Sequence, residues 1–251
     1  MKRNLILLAL AISLASCKSY WFNMALEMLG AYDESVSLTA LTNEKEEKTV
    51  IFIPMVHYST ELFYKDVIVK IDSLQKEGFY FYFEGMDVEK KDTVSLRKLR
   101  KITGVPLAHS AGDAAMDSLL ISRNVKTKKK LVTQPPNSNL GFKEGNSRNV
   151  DTSVLELTNH YEELYGAIVL NDCDFATKVT EASSCPKQKK DRERYDSIIL
   201  DYRNNLVLQE IFKEKDHKKN AVIYGKGHFA GIEKALLQEG YTIQGKQSTQ
   251  N

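Results

Sequence analysis

Two of the five histidines stand where an apolar run gives way to a helical one. The first run is Val50-Ile51-Phe52-Ile53-Pro54-Met55-Val56-His57, and the second is Ala221-Val222-Ile223-Tyr224-Gly225-Lys226-Gly227-His228. Each is followed by a helical stretch, a glycine (Gly78 or Gly240) and another strand-like run. From His57 to Gly78 is 21 positions, and from His228 to Gly240 is 12. The second helix is therefore shorter by about two and a half turns at 3.6 residues each. A neutral imidazole offers a nitrogen lone pair to a proton or a metal ion. In open α/β sheets, ligands bind outside the carboxyl ends of the strands, where both histidines would sit. Other chemistries lack their motifs. The chain has no Gly-x-Ser-x-Gly elbow, no Walker-type phosphate loop and no His-Glu-x-x-His pair. His109, His160 and His217 lie outside the paired runs and read as surface or packing residues.

The elements that must position these residues follow from periodicity. Thr49 to Ile53 reads as a strand, and a helix over about 60–76 should follow, capped by Ser59 or Thr60. Phe63, Val67, Ile71 and Leu74 recur at helical spacing, and Gly78 ends the helix. Phe79 to Glu84 is an aromatic strand with phenylalanines on one face and tyrosines on the other, Glu84 falling on the tyrosine face. Residues 88–160 are more polar and read as an irregular insertion, with a short strand at Lys130 to Thr133 and a loop over 137–149. Ala167 to Leu170 is a candidate strand, and Arg192 to Phe212 a long helix buried along Ile198, Ile199, Tyr202 and Leu206. A strand at Ala221 to Tyr224, a helix near Ile232 to Gln238 and a strand at Tyr241 to Ile243 complete the second plan. The tail from Lys246 should fray. Together these predict an α/β fold: a mixed sheet built from two related β-α-β halves flanked by helices, with a more irregular middle insertion.

Tyr202-Arg203-Asn204-Asn205, followed by Ala221 to Tyr241, resembles the C-terminal signature of the TraB/GumN/TIKI group. The matching positions are Arg203, Asn204, Gly225, His228, Gly231, Gly240 and Tyr241. His57 and Glu84-Gly85 resemble the group's first histidine motif and its later glutamate, with Pro54 where glycine is usual. The resemblance covers about 48–86 and 192–243. It implies a metal-dependent hydrolase, with some members acting as membrane-associated peptidases; the wider superfamily includes esterases and haem-binding lipoproteins. On that reading His57, Glu84 and His228 hold a divalent ion, since two imidazoles and a carboxylate leave positions open for water. The ion lowers the pKa of that water and polarises a carbonyl. Arg203 and Asn204 join Glu84 as catalytic candidates, Arg203 holding a substrate carboxylate or a developing oxyanion. Plainer roles stand beside these: Glu84 binding backbone amides or pairing with a lysine, Asn204 capping local backbone, and Arg203 pairing with Asp201 or an acid of the middle region. The rivals to a hydrolase are a lipoprotein that holds haem or iron without turnover, and a structural lipoprotein with a decayed site.

Residues 1–17, MKRNLILLALAISLASC, begin with Lys2 and Arg3 and run through an apolar stretch of signal-peptide length. Leu14-Ala15-Ser16-Cys17 matches the bacterial lipobox, which implies cleavage before Cys17 and a lipid on it. That gives a signal peptide at 1–16, a lipidated tether and N-terminal segment at 17–47, and one domain over 48–251. Trp21, Phe22, Met24, Leu26 and Leu29 would either pack on the domain or lie in the membrane interface. The expected partners are a membrane, through Cys17, and a peptide or small-molecule substrate; Lys18 after the cysteine favours the outer membrane. Of 35 Lys and Arg, the signal peptide removes two and no acid, leaving 33 against 33 Asp and Glu. A neutral domain argues against nucleic acid as a partner. With Cys17 taken by lipid, Cys173 and Cys185 could close a loop in an oxidising compartment.

Overall fold

The structure, a computed structural model, describes residues 19–104, 125–181, 183, 185 and 192–244. The expected signal peptide and Cys17, together with His109 and the tail from Lys246, lie outside the described residues. The chain divides into two compact units. One contains residues 19–36, 55–72 and 125–141; the other contains 37–54, 73–104 and the described residues from 142 to 244.

The strands, numbered along the chain, are β1 (Thr39–Asn43), β2 (Lys48–Met55), β3 (Tyr58–Ser59), β4 (Tyr80–Phe83), β5 (Val132–Thr133), β6 (Ser147–Asn149), β7 (Lys219–Gly225) and β8 (Thr242–Gln244). The larger unit is built on a six-stranded sheet of order β6-β4-β7-β2-β1-β8. It is mixed: β4 runs parallel to both β6 and β7, while β1 pairs antiparallel with β2 and β8. The α/β class with a mixed sheet and flanking helices is therefore what the chain forms. In the smaller unit, β3 and β5 make a two-stranded antiparallel ribbon.

Burial explains why β7 is central. Ala221, Val222, Ile223 and Tyr224 form an unbroken apolar run, and all four are buried, as a strand covered on both faces requires. β4 behaves likewise. Its phenylalanines and tyrosines do point to opposite faces, but neither face is wet. Phe81 and Phe83 pack on Phe142, while Tyr82 joins the core with Phe52, Val222, Val207 and Leu236.

The helices are α1 (Glu61–Lys76), α2 (Thr93–Thr103), α3 (Val154–Tyr165), α4 (Asp172–Ala176), α5 (Arg192–Asp196), α6 (Arg203–Lys213) and α7 (Phe229–Gln238). Thr60 Oγ1 caps α1 by accepting from Phe63 N–H at 3.1 Å, and the expected stripe of Phe63, Val67, Ile71 and Leu74 is buried. Gly78 follows at φ 84° and Gly240 takes the same role after α7 at φ 85°, a conformation that favours glycine. A second core joins α2 and α3 through Leu96, Leu99, Val154, Leu157 and Tyr161, with Ile198. Cys173 and Cys185 are bonded, closing a 12-residue separation beside α4. In the chain-entropy picture such a loop contributes about 3 kcal/mol.

Three expectations are corrected. The 137–149 stretch is not all loop: Ser147-Arg148-Asn149 forms β6, an edge strand held by its backbone pairing to β4. Residues 167–170 form no strand; Ile168 instead sits in the second core, and its N–H donates to the Glu162 carboxylate at 2.8 Å. The helix beginning at Arg192 has the expected extent but not a uniform period. A π segment, Ser197–Tyr202, joins α5 to α6. Beyond it the buried residues are Arg203, Asn204, Val207, Leu208 and Ile211, while Leu206 is only partly buried. Within the 17–47 segment, Thr39–Asn43 enters the sheet as β1 through its buried Leu41.

Candidate functional site

The three parallel strands β6, β4 and β7 lie side by side, so their carboxyl ends meet. Glu84 is the residue after β4, Asp151 lies two residues beyond β6, and His228 ends the short 3₁₀ turn that follows β7. Opposite them, the π segment hands over to α6. An i→i+5 turn inserts one extra residue into the helical count, which rotates the next residues around the axis. Here it brings Arg203 and Asn204 to the buried face, against the strand ends.

The guanidinium of Arg203 is the hub. Its Nε and Nη2 form a fork on Asp151, at 2.8 Å to Oδ1 and 2.6 Å to Oδ2. Nη2 also donates to Glu84 Oε1 at 2.6 Å. Nη1 faces the Ile199 carbonyl at 3.5 Å and His228 Nε2 at 3.4 Å. All five guanidinium N–H groups therefore face an acceptor. Asp151 is itself fixed by the Gly85 N–H at 3.1 Å and the Thr152 N–H at 2.9 Å. Of the two plainer roles left open for Arg203, the ion pair with an acid of the middle region is present, and Asp151 is that acid.

His228 is set by two neighbours of opposite character. Its Nδ1–H donates to Asn204 Oδ1 at 2.8 Å, because a carbonyl oxygen only accepts. Its Nε2 then carries the lone pair, which agrees with Arg203 Nη1, a pure donor, facing it. The Tyr224 ring meets the imidazole edge-on at 5.3 Å, and the Tyr224 hydroxyl donates to the Val150 carbonyl at 3.2 Å. Two glycines make room. A Cβ on Gly231 would stand 2.4 Å from Asn204 Nδ2, and one on Gly225 would stand 3.2 Å from Glu84 Oε2. The first leaves no room for a side chain unless Asn204 moves, and the second is a tight contact.

Glu84 receives the Gly225 N–H on Oε2 at 2.5 Å, while Oε1 lies 3.8 Å from His228 Nε2. Burial pushes its carboxyl up, but the Arg203 guanidinium and the Gly225 N–H beside it outweigh this and hold it below its ordinary value. Burial works against the charged form of Arg203 as well, yet Asp151 and Glu84 hold its proton more tightly than usual. Burial, with the Asp151 charge, drives the Tyr224 phenol far up, so it stays a neutral donor. The side chain of Asp151 is fully buried and Arg203 and His228 keep 6% and 5% exposure, but Glu84 keeps 17%. A molecule arriving from solvent therefore meets Glu84 first.

His57 belongs to the smaller unit. It lies at an exposed bend between β2 and β3, and its carbonyl accepts from Gln134 N–H at 2.8 Å. His160 stacks on Tyr202 and His217 on Tyr80, the packing roles expected of them. Among the described residues, no group of three or more His, Cys, Asp and Glu side chains is arranged to hold a metal ion. Sequence reasoning did not single out Asp151, the π segment or the Gly225 N–H. The one signal for Asp151 was an acid just after a run adjoining β4, which only the sheet order reveals.

No protein-family model, no characterised protein and no solved structure matches the chain.

Proposed function

We propose that this chain is a membrane-anchored hydrolase of the TraB/GumN/TIKI type, acting on a peptide or another small acyl substrate at the Glu84–His228 end of the sheet. The observation that carries the reading is the state of His228. Its Nδ1 is pinned by a side-chain amide, so Nε2 presents a lone pair 3.8 Å from a carboxylate oxygen at the solvent-facing edge of the site. An imidazole oriented through its far nitrogen is the arrangement that ligates metals or takes up protons.

The donor chemistry suits a divalent ion. His228 Nε2 and Glu84 Oε1 would hold it, and when bound it would supply a water of lowered pKa. The chain's own residues orient that chemistry. Asn204 fixes the imidazole, the Gly225 N–H fixes the carboxylate, and Asp151 keeps Arg203 charged and aimed at both. The anchor is the lipid on Cys17; no helix among the described residues is long and apolar enough to cross a membrane.

One observation favours a second reading. The Arg203 guanidinium already bonds Glu84 Oε1 and stands 3.4 Å from His228 Nε2, so both acceptors have a resident cation. That is the network of a structural lipoprotein with a decayed site. Elemental analysis of protein purified without chelator separates the two. The hydrolase reading expects a near-stoichiometric divalent metal, lost in His228→Ala and Glu84→Gln. Metal-free wild-type protein that also fails to take up zinc or manganese supports the second reading, and an absorbance band on haem addition supports a haem carrier.

A further inference from the structure

The helical segment 19–28 has two unlike faces. Its inner face is locked. Leu26 packs with Ala31 and Tyr32, joined by Phe22 and Leu131. Asn23 donates to the carbonyls of Ser19 at 2.7 Å and Lys126 at 2.8 Å, and accepts from Lys128 N–H at 2.8 Å and from the Tyr32 hydroxyl. A buried side chain with four polar partners fixes the rotation of the helix about its axis. The outer face is therefore forced into the open. Tyr20 is 64% exposed, Trp21 63%, Met24 39%, Met28 74%, and Leu29 just beyond is 61% exposed. Single exposed apolar residues are ordinary, but five within ten positions on one side of a short segment make a continuous apolar surface. Glu27, the one charged residue of the segment, is paired with Lys128 at 2.5 Å.

The segment's place in the chain says what covers that face. Cys17, the lipobox cysteine, lies four residues before Trp21. At about 3.6 Å per residue, even a fully extended tether keeps the Trp21 Cα within about 14 Å of the Cys17 Cα. Tyrosine and tryptophan with flanking methionine and leucine are the side chains that settle at the headgroup level. We propose that the outward face of segment 19–28 is a membrane-docking face, lying in the interface of the bilayer that carries the Cys17 acyl chains. The inference rests on the lipid-anchor part of the proposed function. It resolves the alternative left by the sequence: Phe22 and Leu26 pack on the protein, while Trp21, Met24 and Leu29 meet the membrane.

Trp21 is the single tryptophan, so its fluorescence reports the face directly. The mature protein is reconstituted in phosphatidylethanolamine–phosphatidylglycerol vesicles with lipids brominated at the headgroup end of the acyl chain. Its intact mass independently reports whether Cys17 carries lipid. Docking gives a blue-shifted emission and roughly twofold quenching by the brominated lipid, as an interfacial indole requires. Met24→Ser with Met28→Ser, both exposed, weakens that quenching. With vesicles added to lipid-free protein, the same pair lowers partition about tenfold, or about 1.4 kcal/mol. A lipidated protein whose Trp21 keeps a solvent-like, unquenched emission overturns the docking face while leaving the anchor standing. Absence of lipid with Trp21 still quenched on vesicle addition overturns the anchor and keeps the face. A dimer that dissociates in the Met24→Ser, Met28→Ser variant, with no vesicle binding, assigns the face to a second copy and overturns the proposal.

Discussion

The two histidine hand-overs share one plan and end in different states. After β7, His228 is buried, bonded through Nδ1 to Asn204 and faced by Arg203 and Glu84. After β2, His57 sits at an exposed bend and contributes a carbonyl to a neighbouring loop. Strand, turn, histidine, helix and glycine recur in both, so that plan alone does not make a site. What distinguishes His228 is a second element turned toward it. The π segment presents Arg203 and Asn204, and two further strand ends supply Glu84 and Asp151.

The comparison can be broken by substitutions, the largest effect first. Asp151→Ala leaves the Arg203 charge buried with only part of its compensation, and should cost about 3 kcal/mol or more in denaturant unfolding. Asp151→Asn, which keeps an acceptor, should cost less. His228→Ala leaves the buried Asn204 amide without its partner, a loss of about 1–3 kcal/mol by the same measurement. Gly231→Ala forces Asn204 to turn, at about 1–3 kcal/mol of overpacking, offset in part by about 1 kcal/mol of helix propensity. Its clearer sign is loss of the protected His228 Nδ1–H signal in NMR. His57→Ala should move stability by no more than about 0.5 kcal/mol, as at any exposed site without a special contact. A His57→Ala cost equal to that of His228→Ala would erase the distinction between the hand-overs.

Much of the frame was legible because it rests on local pattern. The apolar run at Ala221 to Tyr224 could only be a buried strand, and the α1 stripe, the caps and the terminating glycines follow from short-range chemistry. The site was half legible. Glu84, Arg203, Asn204 and His228 stand side by side, but the reason for their convergence was hidden. The π segment breaks the 3.6-residue period by which a helix is read, so the expected stripe continued through Leu206 instead of turning at Arg203. β6 escaped notice because Ser147-Arg148-Asn149 has no strand-like side chains; it takes its place through backbone pairing to β4. Asp151 could be placed only once β6 was known to lie beside β4. The 167–170 run misled in the opposite direction: its apolar content serves one core contact at Ile168 and leaves Val169 73% exposed.

The central claim is that His228 offers a prepared, lone-pair-bearing Nε2 beside Glu84. The direct test is a zinc titration followed through histidine ring ¹⁵N–¹H spectra, with His228→Ala and His57→Ala used to assign the signals. His228 Nε2 should shift and saturate while its Nδ1–H, held by Asn204, persists throughout. A His228 ring that stays unchanged while exposed histidines respond would contradict it.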